Sequence, residues 1–275
     1  MPEGDSVWRA ARRLDRGLAG QLLVRSDFRV PQHAGADLSG QRVVGTASHG
    51  KHLLTRFDGG LTLHTHFRMD GSWTVLGPGK RLPPPVQSDI RVVLRTEHDR
   101  TAYGLLIPVV ELVRTTDEKL VVGHLGPDPL RDDWDADEAV RRLARDPARP
   151  VAAALLDQTR LAGLGNLWVN EICFLRGISP WTAAGDVDLA RTVALGARCL
   201  RQSITVRGNG QVTTGNPRPG EEHWVYGRTG LACRRCGTRI RHAPEVPGDA
   251  ARRATWWCPS CQPGPGPDTD TGRLA

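Results

Sequence analysis

The sequence has no long apolar run. None of its 275 residues belongs to a stretch approaching the roughly eighteen apolar residues that a membrane-spanning helix needs. A charged fraction of 24% beside 39% hydrophobic residues predicts a globular protein instead. The N-terminus also lacks the apolar segment of a secretory signal, because the acidic residues Glu3 and Asp5 stand there. These absences predict a cytoplasmic protein whose six cysteines are kept reduced.

Lysine is scarce, since Lys51, Lys80 and Lys119 are the only lysines among 37 basic residues. Arginine therefore carries the net charge of +7, which fits either the codon bias of a GC-rich genome or a surface that binds phosphate. Residues 191–253 hold 12 arginines and 4 acidic residues, so the net charge of this segment is +8 and that of the rest of the chain is −1. Such a concentration is typical of nucleic-acid-binding proteins, and a solvated basic face is the alternative.

The spacing of apolar residues divides the chain into segments. Val7, Ala11, Leu14 and Leu18 recur at helical intervals and predict a helix over residues 2–18. Short β-rich runs then predict a β-sandwich or barrel, at residues 22–24, 42–44, 52–57, 61–67, 73–76, 90–95, 105–113 and 120–122. Helical patterns follow at residues 136–144, 151–156, 167–175 and 189–203. We therefore expect a multidomain α+β protein with domains at 1–128, 129–228 and 229–262 and a disordered tail at 263–275.

Four cysteines form two C-x2-C pairs, Cys233 with Cys236 and Cys258 with Cys261, separated by 21 residues. Two such pairs joined by a hairpin close a tetrahedral Zn²⁺ site, which stabilises a module too small to build its own core. Because four thiolates leave no position for water, one structural Zn²⁺ is expected rather than a catalytic one. His242 is a competing ligand, and disulfides are the alternative that a reducing compartment disfavours.

Small residues precede the predicted helix at 167–175, in the run Leu161-Ala-Gly-Leu-Gly-Asn166. The backbone N–H groups at the positive end of that helix would bind a phosphate. A tight turn between two helices explains the same run equally well.

Pro2 and Glu3 stand at the start of the first predicted helix. Removal of Met1 would leave Pro2 as a secondary amine at the first helical position. The helix dipole would lower the pKa of that amine and leave more of it neutral and nucleophilic, with Glu3 beside it as acid and base. The alternative is that both residues are simply a favourable helix start.

Five separated segments together resemble the formamidopyrimidine-DNA glycosylase and endonuclease VIII family. The resemblance spans residues 2–262. The opening Met-Pro-Glu-Gly and the Gly-Lys-His run are closer to the endonuclease VIII branch, and the overall character is similar to its actinobacterial members. The segments are Pro2-Glu3-Gly4, Gly50-Lys51-His52-Leu53, LLDQTRLAGLGNLWVNE at 155–171, Tyr226-Gly227-Arg228 and RATWWCPSCQ at 253–262.

The resemblance implies an N-terminal helix with a β-sandwich, then a helix-two-turn-helix domain and a four-cysteine zinc-finger hairpin. It also implies a bifunctional DNA glycosylase and AP lyase of base excision repair that removes oxidised bases, pyrimidines in particular, in the bacterial cytosol. Pro2 would form a Schiff base with C1′ and lead to β- and δ-elimination, and Glu3 would protonate the sugar. The expected partner of this monomer is damaged double-stranded DNA, and no membrane is involved.

Four further residues match the family's DNA contacts. Lys51 matches a lysine near the lesion phosphate, and Asn166 and Arg253 match residues that hold backbone phosphates around a kinked duplex. Met69 matches a wedge that fills the hole left by the flipped base. An ordinary surface lysine and a core methionine are the alternatives for Lys51 and Met69.

The sequence departs from the family at two points. Ser6 stands where a glutamate is frequent, which affects the expected proton relay and base preference. No Arg/Phe pair between Arg100 and Glu111 completes the void-filling set beside Met69.

Two other functional classes fit parts of the sequence. A non-catalytic zinc-hairpin DNA-binding protein would explain the cysteines and the basic segment, but it gives Pro2 no role. A metal-dependent hydrolase could use His64 and His66, which share one face of a strand, with His49 or His52 in support. No carboxylate or third histidine is spaced in the sequence to complete an open metal site.

Overall fold

The computed structural model describes residues 2–206 and 211–267, and the chain forms two compact units, Met1–His124 and Leu125–Ala275. The division follows His124, whereas the sequence places the end of the first domain at Asp128. The expected disordered tail at 263–275 lies outside the described residues from 268 onward. In its described part the Ser179 hydroxyl donates a hydrogen bond to the carbonyl of Pro265. Among the described residues, no helix combines the length and apolarity needed to cross a membrane.

The first unit begins with helix α1, Gly4–Leu18. Its apolar residues at helical spacing, Val7, Ala11, Leu14 and Leu18, are all buried. They join a core to which strands of both sheets contribute. The apolar stripe that the sequence predicts is therefore the face by which α1 is anchored.

Two four-stranded antiparallel sheets complete this unit. Their orders are β1-β6-β7-β5 and β2-β3-β4-β8. The strands are β1 Leu23–Phe28, β2 Val43–His49, β3 His52–Phe57, β4 Leu61–His66, β5 Ser72–Leu76, β6 Ile90–Thr96, β7 Thr101–Leu105 and β8 Val109–Arg114. Because the two sheets share one apolar core, they form the two layers of a sandwich.

The structure differs from the sequence prediction at two places in this unit. The single strand predicted at 105–113 is wrong, because β7 and β8 are separated there by a loop in which Leu106 has a φ of 50° and Pro108 lacks an N–H. The strand predicted at 120–122 is also wrong, since Lys119–Val122 is the short helix α2. Its N–H groups bond back to the carbonyl of Glu118, so a local turn satisfies them instead of a sheet.

The second unit is helical in its first part. Its helices are α3 Ala136–Leu143, α4 Val151–Leu156, α5 Asn166–Arg176 and α6 Leu189–Thr205. Helices α4 and α5 are buried almost all round and form the centre of its core. Asp135 and Asp188 cap α3 and α6 through their side chains.

A small two-stranded hairpin follows, formed by β9 Arg241–Ala243 and β10 Thr255–Trp257. A separate cluster of buried residues lies beneath it and includes Phe174 of α5, Val225, Cys233, Ile240 and Cys258. The apolar part of this cluster is small, which is the condition under which a metal contributes most to folding.

Candidate functional site

Pro2 and Glu3 lie just ahead of α1. Glu3 is the N-cap residue and Gly4 the first helical residue, so the prediction that Pro2 occupies the first helical position is wrong. The Glu3 carbonyl accepts the N–H of Val7, and the whole residue is buried, with 0% exposure. Pro2 is half-buried at the positive end of the helix, where the dipole would favour the neutral form of an amine left by removal of Met1.

Helix α1 runs alongside β2 in a defined direction. The Gly20 N–H donates to the Val43 carbonyl at 2.8 Å, and the Thr46 N–H donates to the Asp15 carboxylate at 2.9 Å. The part of α1 from Asp15 back to Gly4 is about 16 Å long. The part of β2 from Thr46 to the β2–β3 turn has about the same length and extends in the same direction. The start of α1 and the β2–β3 turn therefore lie at the same end of the unit.

That end, which we term the loop end of the first unit, also carries Lys51, Met69 and Leu106. Lys51 occupies the β2–β3 turn and is half-buried. Met69 lies in the loop between β4 and β5 and is 57% exposed, which removes the alternative of a core methionine. Because Ser72 pairs with Leu105, the loop that carries Leu106 is at the same edge as the Met69 loop. Leu106 is 40% exposed at a positive φ and was not singled out by the sequence.

Histidines of β3 and β4 form a hydrogen-bonded chain on one face of the second sheet. His52 Nδ1 lies 2.8 Å from His64 Nε2, and His64 Nδ1 lies 2.8 Å from an oxygen of Glu111 on β8. The His52 and His66 rings approach edge to face with centroids 4.7 Å apart. His66 Nδ1 accepts the backbone N–H of Arg68, which begins the Met69 loop.

Two of these imidazoles are held uncharged. Burial lowers the pKa of His52 to about 3, and the nearby histidines add to the effect. Burial also lowers the pKa of His66 to about 4, with further contributions from Arg68, Lys51 and His64. The ring nitrogens are engaged in a linear chain rather than converging on one point. Within the described residues, only the four cysteines satisfy the geometry of a metal site, so this arrangement does not favour the hydrolase alternative.

In the second unit, Asn166 and the Arg253 segment come together. Asn166 is the first residue of α5, and its buried side-chain amide donates to the carbonyl of Ala254 at 2.8 Å. Arg253 pairs with Asp249 at 3.1 Å, and its backbone N–H donates to the same carboxylate. Asn166 therefore contacts the residue that follows Arg253, so the two residues that the sequence assigns to phosphate contacts lie close together.

Two buried residues of α5 that the sequence did not single out hold the neighbouring segments. The Asn170 side chain accepts the N–H of Trp256 at 2.7 Å and donates to the Asn166 carbonyl. The Glu171 carboxylate accepts three consecutive backbone N–H groups, those of residues 224–226, at 2.8–2.9 Å. A buried glutamate inside an apolar helix is the sequence signal that could have identified this anchor.

The four cysteines converge as the sequence predicts. Their Sγ atoms all lie within 4.8 Å of one another, and the arrangement could hold a metal ion. The Cys233–Cys261 and Cys236–Cys258 Sγ distances are 3.9 Å and 3.5 Å, well beyond the roughly 2.05 Å of a disulfide bond. His242 is exposed and is not part of the group.

Two family models match the chain. The formamidopyrimidine-DNA glycosylase N-terminal domain matches residues 1–104, and the formamidopyrimidine-DNA glycosylase H2TH domain matches residues 125–213. "Probable endonuclease 8 2" of Streptomyces coelicolor is 48% identical over 97% of this chain and 96% of its own length. "DNA-(apurinic or apyrimidinic site) lyase Nei2" of Mycolicibacterium smegmatis is 41% identical over 95% of this chain and 99% of its own length.

Solved structures share the fold. The formamidopyrimidine-DNA glycosylase of Lactococcus lactis, crystallised with an abasic-site DNA, superposes with a TM-score of 0.76 at 23% identity, covering 96% of this chain and all of the other. Fold and site thus define a helix-two-turn-helix protein with a helix-led β-sandwich and a four-cysteine hairpin. The chain belongs to the formamidopyrimidine-DNA glycosylase and endonuclease 8 family. The predicted α+β architecture and the resemblance are confirmed.

Proposed function

We propose that this protein is a bifunctional DNA glycosylase and AP lyase of base excision repair. It removes oxidised bases, pyrimidines in particular, from double-stranded DNA, and it acts as a monomer in the bacterial cytosol. One observation carries the proposal: Pro2 and the buried Glu3 directly precede α1, at the same end of the first unit as Lys51. The names of its relatives, an endonuclease 8 and an AP lyase, agree with this chemistry.

The proposed reaction begins at the Pro2 nitrogen. With Met1 removed, this nitrogen is a secondary amine, and it attacks C1′ of the damaged nucleotide and expels the base. The resulting iminium withdraws electrons from C2′ and so acidifies the protons there. Elimination of the 3′ phosphate and then of the 5′ phosphate cuts the strand. Glu3, adjacent to Pro2 and shielded from water, protonates the ring oxygen as the sugar opens.

DNA contacts are proposed for polar, basic and exposed apolar side chains of the two units. Lys51 binds the phosphate next to the lesion. Asn166 binds a phosphate at the positive end of α5, and Arg253 binds one through its guanidinium group. Met69 enters the space of the flipped base, and Leu106 supplies the second apolar side chain.

The function is tested on an oligonucleotide duplex with a single abasic site. The purified protein should cut the damaged strand and, with borohydride present, should form a covalent protein–DNA adduct, because only an imine intermediate is reducible in this way. Strand cleavage without any adduct would indicate hydrolysis or general-base cleavage and would refute the lyase. Binding without cleavage would favour the non-catalytic DNA-binding alternative.

The metal at the four cysteines is a structural Zn²⁺. Tetrahedral coordination at a Zn–S distance of about 2.3 Å would place the thiolates about 3.8 Å apart. Two of the Sγ pairs, at 3.5 Å and 3.9 Å, are close to this value, and all four atoms lie within 4.8 Å of one another. Bound Zn²⁺ supplies cross-linking of the two cysteine pairs. Cys233, Cys236, Cys258 and Cys261 would hold it and would thereby support the β9–β10 hairpin.

The zinc proposal predicts about one Zn²⁺ per chain in purified protein, measured by atomic emission. Cys236→Ser should release the metal and abolish DNA binding, while the first unit, which has its own core, stays folded by circular dichroism. Cys173→Ser is the matched control, because that thiol lies in the helical core, where burial raises its pKa to about 12. Full DNA affinity in metal-free protein would contradict the proposal.

Arg253→Ala should weaken binding to damaged and undamaged duplexes alike. A phosphate contact carries no sequence information, so the slope of log K against log salt should fall by about 1. Fluorescence anisotropy over a salt series measures both quantities. Arg131→Ala, which removes an arginine paired with Asp133 elsewhere in the same unit, should leave the slope unchanged. A loss confined to one lesion, with the slope unaltered, would assign Arg253 to base recognition instead.

A further inference from the structure

The chain of His52, His64 and Glu111 is not explained by the roles assigned above. It begins at the first residue of β3, directly after Lys51, and ends at a carboxylate on β8. His64 in its middle is almost fully enclosed, with a side-chain exposure of 4%, whereas Glu111 is 48% exposed. A half-buried imidazole at the loop end is therefore connected to solvent through two hydrogen bonds of 2.8 Å.

The hydrogen bonds set the tautomers of both rings. An ionised carboxylate only accepts, so Glu111 takes the Nδ1–H of His64. Neutral His64 then has its lone pair on Nε2 and accepts the Nδ1–H of His52. Neutral His52 is left with its lone pair on Nε2. This arrangement extends the carboxylate–imidazole pair of known proton-transfer sites by one ring.

Position agrees with such a role. His52 pairs with His49 across the β2–β3 turn and with His66 at the end of β4, both at the loop end, to which α1 also brings Pro2 and Glu3. Five charged or titratable groups surround the His52–His66 pair: His49 of β2, Lys51 of the turn, His64 of β4, Arg68 of the Met69 loop and His124 after α2. Burial and the neighbouring histidines lower the pKa of His52 to about 3, so the ring is uncharged, and a proton that it accepts must leave at once through the hydrogen bond to His64.

We propose that His52 is the proton acceptor of the elimination steps, and that His64 and Glu111 pass the proton to solvent. The inference rests on the proposed lyase function. In the iminium adduct the C2′–H bond breaks and its proton goes to His52 Nε2. The electron pair forms the C2′=C3′ double bond, and the C3′–O bond breaks as the phosphate leaves with its electrons. The Nδ1 proton of His52 moves to His64 Nε2, that of His64 moves to Glu111, and Glu111 releases it to water.

The test separates adduct formation from strand cleavage. On the abasic-site duplex under single-turnover conditions, His52→Gln should form the borohydride adduct at the wild-type rate but cut the strand about 100-fold more slowly. Glu111→Gln, which keeps the shape but cannot take the proton, should slow cleavage about tenfold. Added imidazole should restore cleavage by His52→Ala, because a free base can then occupy the vacated space. His98→Gln, an exposed histidine in the β6–β7 turn, should match the wild type.

The outcomes are distinguishable. Wild-type protein that forms no adduct would overturn the proposed function itself. If wild-type protein forms the borohydride adduct and cuts the strand, and His52→Gln cuts the strand equally fast, the proton relay alone would be overturned. An equal fall in the rates of adduct formation and cleavage, without rescue by imidazole, would mean that the hydrogen bonds of His52, His64 and Glu111 only stabilise the packing of β3, β4 and β8. If His52→Gln does not fold, the cleavage rate of Glu111→Gln tests the relay instead. The Glu111 side chain is half-exposed and stands at the end of the hydrogen-bonded chain, so its replacement should not prevent folding.

Discussion

Borohydride should attach abasic DNA to residue 2 of the processed protein, and retention of Met1 should abolish the adduct completely. The reason is that an amide nitrogen has no nucleophilic lone pair, whereas the freed Pro2 nitrogen has one. The α-amine also binds its proton less tightly than a lysine side chain does, and its place at the positive end of α1 favours the neutral form further. Mass spectrometry of the trapped, digested complex identifies the attached residue.

Two variants control this prediction. Pro2→Gly keeps an α-amine but loses the ring that orients it, so the adduct should form about tenfold more slowly. Lys51→Ala should weaken DNA binding but leave the adduct at residue 2. An adduct that maps to Lys51, or a Met1-retaining form that traps as well as the processed one, would show that the mechanism is wrong.

Glu3→Gln should reduce base excision by about 10² to 10⁴ and should affect cleavage of a preformed abasic site much less. Excision needs a proton donor while the sugar ring is still closed and bound to the base, whereas an abasic sugar opens without that help. The carboxyl of Glu3 is buried next to Pro2, and the amide of glutamine cannot transfer the proton. Parallel single-turnover assays on an oxidised-pyrimidine duplex and an abasic duplex measure the ratio of the excision rate to the cleavage rate.

Asp5→Asn is the matched control for Glu3. Asp5 is the other buried carboxylate of this turn and pairs with Arg9 at 3.2 Å, so its loss should lower the melting temperature and affect the two substrates equally. If Asp5→Asn reproduces the selective loss of excision, or if Glu3→Gln slows both reactions by the same factor, then Glu3 is not the proton donor.

Local patterns were enough to predict much of the fold. The helical spacing of Val7, Leu14 and Leu18 predicts α1, because a helix can bury only one stripe of side chains. Strand β3 has its predicted bounds, and the two C-x2-C pairs predict the convergence of the four thiols. The boundaries that the sequence misplaced depend on backbone geometry, as in the loop between β7 and β8, where Leu106 has a positive φ.

The sequence by itself determined the residue types available for chemistry and their order along the chain: an N-terminal Pro-Glu pair, paired cysteines and an arginine-rich segment. Only the tertiary structure decided which distant residues meet. Glu111 reaches His64 because β4 and β8 pair in one register, and Asn166 reaches Ala254 because the hairpin packs on α5. Strand register and packing arise from contacts between residues far apart in sequence, so local periodicity does not encode them.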